Sequence, residues 1–150
     1  MLTPEAISRA LREVLEADPG VAFAYLFGSV VKGRARASSD IDVAVHFGTA
    51  PVDAERMEAA QRALDLETRL EARLGRPVQV VDLCRAPPEL VQNALGHGRL
   101  LFSRDDAARV RFYVSAGKDL YDRSHARAIF ERYRERRIRS GAFGGRSRDR

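Results

Sequence analysis

Tryptophan is absent from this 150-residue chain, and cysteine occurs once, at Cys84. One thiol can make no internal disulfide and no cysteine-rich zinc site. Nothing therefore asks for an oxidising compartment, and a reducing cytoplasm is the expected location. Long apolar runs are missing as well. The longest, Val21 to Phe27, falls far short of the roughly 20 residues that span a bilayer. The N-terminus, MLTPEAISRALREVLEADPG, lacks the basic start and apolar block of a secretory signal, so no membrane partner is expected. Lysine is scarce: of the 26 Lys and Arg only Lys32 and Lys118 are Lys. A genome that favours Arg codons explains that bias without a functional need for guanidinium groups.

What is present is ordinary for one globular domain: 45% apolar and 31% charged residues. The formal charge of +5 suggests an acidic partner at first sight. Its distribution says otherwise. Residues 131–150 hold eight Arg and three acids, and the rest of the chain is neutral. The charge thus belongs to a C-terminal arm and gives no reason to expect direct nucleic-acid binding.

Periodicity predicts an α/β fold, a small mixed β-sheet packed on helices with a C-terminal helical extension. Thr3-Pro4-Glu5 reads as a helix start, followed by an apolar stripe of Ile7, Leu11, Val14 and Leu15 and a stop at Asp18-Pro19-Gly20. Val21 to Phe27 reads as a strand buried on both faces. The segment 40–47 alternates, with Ile41, Val43, Val45 and Phe47 on one face and Asp40 and Asp42 on the other. A helix over about 53–74 and a short strand over 78–83 follow. A helix from Pro87 to Leu95 and a strand over 99–102 come next, and then the last helices, capped by Ser103, Asp105 and Asp106. The expected organisation is a core over 1–104, a helical extension of the same domain over 105–139, and a flexible Gly-rich tail over 140–150.

The chemistry concentrates between Leu26 and Val45. A buried strand running into Gly28-Ser29 lets backbone approach a ligand closely, and a short helical turn opened by Ser29 would offer amides to a phosphate. Asp40 and Asp42, two apart on a strand, project from one face, where like charges repel unless a cation lies between them. Carboxylate oxygens suit Mg²⁺, which completes its shell with phosphate oxygens and water. Asp82 ends the other apolar strand that carries a carboxylate. Three carboxylates facing a phosphate-binding turn are what two-metal phosphoryl or nucleotidyl transfer needs.

The pattern Gly28-Ser29, eleven residues, Asp40-x-Asp42 and a distant Asp82 resembles the nucleotidyltransferase superfamily of DNA polymerase β type. Gly33, Ser39, Val43 and Val45 are similar to its minimal nucleotidyltransferase (MNT) branch. The resemblance implies an ATP-using enzyme in which Asp40 and Asp42 bind two Mg²⁺ ions, Asp82 completes the metal site and helps activate a hydroxyl, and Gly28 and Ser29 hold the triphosphate. Ser39 and Lys32 join the nucleotide site on the same grounds. Many members carry Arg where this chain has Lys32, which cannot fork to two oxygens; Arg34 or Arg36 would substitute. Chains of this branch with a similar helical extension are antitoxins of HEPN-domain ribonuclease toxins, which implies transfer of AMP to a toxin tyrosine. A small-molecule nucleotidyltransferase and an antitoxin acting by contact alone are the alternatives. His46 shares the parity of Asp40 and Asp42 and is expected either at the site or as a polar strand end. His97 and His125 are expected on the surface. Tyr113 and Tyr121 belong to the core or a partner interface, and Phe130 and Tyr133 to a docking helix or a solvated helix end.

Overall fold

A computed structural model of the chain describes residues 3–33, 39–48 and 56–139. Expectations for Arg34, Arg36 and the 140–150 tail fall outside these residues, as does the start of the second helix near residue 53. The elements are α1 (Pro4–Ala17), β1 (Phe23–Phe27), β2 (Ile41–His46), α2 (Arg56–Leu74), β3 (Val78–Asp82), α3 (Pro88–His97), β4 (Arg99–Ser103) and α4 (Asp106–Arg139). They build one mixed sheet in the order β3-β2-β1-β4. β1 pairs antiparallel with β2 and β4, and β2 runs parallel to β3.

Local chemistry explains the boundaries. Thr3 caps α1 through its hydroxyl, which accepts the Ala6 N–H at 3.1 Å, and Pro4 sits where a missing amide costs nothing. β1 begins two residues later than the apolar run, because the Val21 N–H turns back to the Asp18 carbonyl at 3.1 Å. α3 extends past Leu95 to His97, and Gly98 closes it by donating to the Ala94 carbonyl. The expected set of last helices is one continuous α4 of 34 residues, about 51 Å long at 1.5 Å per residue.

The sheet divides the core in two. On one face Ile7, Leu11 and Leu15 of α1 and Leu66 and Leu70 of α2 pack on Leu26, Ile41, Val43 and Val45. On the other, Val91, Ala94 and Leu95 of α3 cover Phe23, Tyr25, Phe27 and Ala44, with Phe112 of α4 against the same cluster. Every β1 residue is buried, as the unbroken apolar run requires.

Two glutamates of α2 secure the outer edge of the sheet. Glu67 accepts the Val80 N–H at 3.0 Å and Glu71 the Val78 N–H at 3.1 Å. These bonds satisfy outward amides of an edge strand that would otherwise template further pairing. They also fix β3 in one register against β2.

His46 closes the far end of β2 as a core residue. It is 9% exposed, stacks on Phe23 at 4.6 Å and meets the Phe112 ring edge-on at 4.8 Å. Its Nδ1 accepts the Gly48 N–H at 3.0 Å, so the folded protein needs the neutral ring. Burial pushes the imidazole pKa below its usual 6.5, with the Asp82 charge pulling the other way. The unfolded chain therefore binds the proton more readily, and stability falls as pH drops through about 6.5. Urea titrations from pH 7.5 to 5 are expected to show this loss, and His46→Phe to flatten it.

Candidate active site

The site lies where β1 ends and β2 begins. After Phe27 the chain enters a turn in which the Lys32 N–H reaches the Gly28 carbonyl at 3.2 Å. Val30, 3% exposed, anchors this turn in the core. A single helical turn has no acceptors of its own for its first amides, those after Gly28, which suits them to phosphate oxygens. Gly28 has φ +82°, and a Cβ built there would collide with Asp42 Oδ2. Glycine is thus required twice, for backbone conformation and for the approach of the carboxylate.

Asp42 is paired with Phe27 across β1 and stands half-buried at the start of β2. Burial pushes its pKa above the usual carboxylate range, and the neighbouring Asp40 charge adds to the rise. Asp40 is exposed, one residue ahead of the strand. The approach to β2 is pinned by Arg76, whose Nη2 donates to the Ser39 carbonyl at 2.7 Å, and by the Ile41 N–H on the Pro77 carbonyl at 3.0 Å. Two carboxylates on one face, one of them half-buried beside a like charge, fit a divalent cation that a nucleotide's phosphates would share. Lys32 is exposed on the same turn. Gly33 has φ +71°, and no atom of the described residues lies within 4 Å of where a Cβ would stand.

Asp82 does not join them. On the parallel β2–β3 pair it is opposite Val45, three residues further along than Asp42, or about 10 Å at the rise of a strand. Alternation also places it on the Val45 face rather than the Asp42 face. Its oxygens are engaged locally, one accepting the Cys84 N–H at 3.0 Å and the other the Arg85 guanidinium at 2.7 Å. Among the described residues no group of three Asp, Glu, His or Cys side chains is placed to hold an ion. The structure therefore does not bring Asp82 to Asp40 and Asp42, as the expectation of three carboxylates around two metals required. The residue that β3 does set beside Asp42 is Gln79. Only register identifies it, and a strand-ending aspartate drew the sequence reading three residues too far.

His97 and His125 are exposed, the latter stacked on Tyr121 at 5.8 Å. Tyr113 and Tyr121 are exposed, and so surface rather than core residues. The Tyr133 side chain lies outside the described residues. No described helix is long and apolar enough to cross a membrane.

A glycine turn thus meets paired aspartates at one end of a mixed sheet, and residues 9–107 match the polymerase beta nucleotidyltransferase family. The chain belongs to that family. Among solved structures it is similar to a chain of a toxin–antitoxin complex with AMP-PNP, at 25% identity, covering 84% of this chain and 97% of that one with a TM-score of 0.62. It is similar in fold to a chain of the MntA-HepT toxin–antitoxin, at 21% identity over 86% and 97% of the two chains with a TM-score of 0.61. A third, from a tri-AMPylated Shewanella oneidensis HEPN toxin in complex with MNT antitoxin, shares 23% identity over 87% and 98%, with a TM-score of 0.59. No curated protein matches the sequence.

Proposed function

We propose that this chain is an MNT antitoxin that binds ATP and transfers AMP to a tyrosine hydroxyl of a HEPN-type ribonuclease toxin. The observation that supports the reading is the close approach of Gly28 to Asp42, which would set a phosphate on the turn beside a cation on the carboxylate. In the reaction the hydroxyl oxygen bonds to the α-phosphorus as the α–β bridging bond breaks, the hydroxyl proton passes to solvent and pyrophosphate leaves. Such chemistry asks the protein for positioning and charge neutralisation above all. The Gly28–Lys32 turn would hold the triphosphate, with Ser29 at its opening. Asp40 and Asp42 would hold Mg²⁺, which supplies positive charge where the phosphates meet the carboxylates. The backbone at Ser39, braced by Arg76, orients both acids.

α4 supplies a surface for the partner. Its inner side carries Phe112 and Ala116 against the core, and Arg109 donates to Tyr25 Oη at 3.3 Å. On the opposite side Val110, Tyr113, Val114 and Tyr121 form an uncovered apolar stripe at helical spacing, Val114 62% and Tyr121 67% exposed. Contiguous apolar surface of this kind marks a protein contact. The double variant Val114→Arg/Tyr121→Asp is expected to weaken toxin capture about 100-fold or more while leaving ATP affinity and Tm unchanged; calorimetry with purified toxin checks it.

The activity is tested with ATP labelled at the α-phosphate, Mg²⁺ and a HEPN-type toxin from the same organism. Label is expected on the toxin with wild type and absent with Asp40→Asn. Label on an aminoglycoside instead would favour a small-molecule enzyme. Toxin bound and inhibited without label would make the chain a contact antitoxin.

A further inference from the structure

On neighbouring parallel strands, residues directly opposite each other share a face and lie about 4.8 Å apart. Asp42 is opposite Gln79, and Ala44 opposite Val81. This pairing is held from both sides: the Ile41 N–H bonds to Pro77, while Glu67 and Glu71 hold the outward amides of Val80 and Val78. A slip that moved Asp82 toward Asp42 would break all three contacts and turn Val78 and Val80 out of the core. Gln79 is itself exposed between those two buried valines, on the face that Asp42 occupies.

We infer that Gln79 is the third side chain of the nucleotide site, and that its neutral amide limits the site to one tightly held divalent cation. The inference rests on the nucleotidyltransferase reading above. Two carboxylates carry the charge that balances one divalent ion, and a second ion some 3.5–4 Å away has only shared carboxylates, phosphates and water unless the protein adds a further anionic ligand to hold it tightly. An amide brings none. It brings instead two N–H donors, which a carboxylate lacks, and these suit a phosphate or ribose oxygen of the nucleotide. Asp82 cannot substitute, because its oxygens serve the turn into Cys84 and Arg85.

Counting bound Mn²⁺ tests this without any turnover. Wild type, Gln79→Asp and Asp82→Asn are titrated with Mn²⁺ by calorimetry and electron paramagnetic resonance, in the presence of an ATP analogue that cannot be cleaved between the α- and β-phosphates. Asp82→Asn keeps an oxygen to accept the Cys84 N–H, so the turn is retained. The expected result is one Mn²⁺ per chain in wild type and in Asp82→Asn. Gln79→Asp should bind a second ion at least about tenfold more tightly than wild type, with the spin coupling of a close ion pair. Two ions in wild type, loss of an ion in folded Asp82→Asn, or no second ion in Gln79→Asp would each overturn the inference while leaving the nucleotidyltransferase reading in place. Wild type that binds neither Mn²⁺ nor nucleotide would overturn both.

Discussion

Asp42→Asn is expected to abolish AMP transfer while making the metal-free protein more stable. The two effects share one cause. Asp42 is half-buried beside Asp40, and its pKa is raised by desolvation first and by the like charge second. An acid whose pKa is higher in the folded state is cheapest to fold when protonated. Its contribution is fully favourable at low pH and is lost as pH rises from the usual 3.8 through the folded value. At neutral pH the fold thus carries an unfavourable charge that asparagine lacks. The substitution should therefore stabilise the apo protein, which a higher Tm would report. Transfer should fall about 10³-fold, since stabilisation of developing charge is usually the largest part of such catalysis. Mg²⁺ with nucleotide should raise the Tm of wild type and leave that of the variant almost unmoved. A Tm below that of wild type would contradict this account of Asp42 as a strained, functional charge.

Gly28→Ala is the second large effect. A side chain there meets Asp42 Oδ2, and φ +82° is a conformation that L-residues rarely adopt. The backbone cost is about 1–2 kcal/mol. The collision adds a functional cost, because either the turn or the carboxylate must move, and a displacement near 1 Å costs about 10²-fold in rate. Gly33→Ala is the contrast: it carries the conformational strain at φ +71° with no atom within 4 Å. Both variants should lose stability to a similar degree. Only Gly28→Ala should also lose affinity for nucleotide with Mg²⁺, measured by calorimetry.

The elements and half of the site were legible in the sequence because each rests on a local signal. The β1 run, buried along its whole length, and the alternation of Ile41, Val43 and Val45 against Asp42 and Ala44 needed only period-two reading. Gly28 and the Asp40-x-Asp42 pair are bound by spacing within one hairpin, so they arrive together. The distance of Asp82 from Asp42 was not legible, because it depends on a parallel pairing between strands distant in sequence, which no short-range pattern encodes. The apolar stretch before it ends at the right strand, but register decides the neighbour of Asp42, and glutamates on α2 help set that register. His46 shows the same limit. Its parity was readable, while its burial came from Phe112, a residue of the distant α4. Tyr113 and Tyr121 matched the helical period of core positions, and the sequence could not show that α4 presents that side outward.

The most direct test of the central claim is the mass of the toxin itself. A HEPN-type toxin from the same organism, co-produced with wild-type chain or with Asp40→Asn/Asp42→Asn, is purified and weighed intact, and its modified residue is located by peptide fragmentation. The account predicts one or more AMP groups on a tyrosine with wild type, and an unmodified toxin with the double variant even though the two proteins still bind. An unmodified toxin in both preparations, or equal AMP in both, would contradict it.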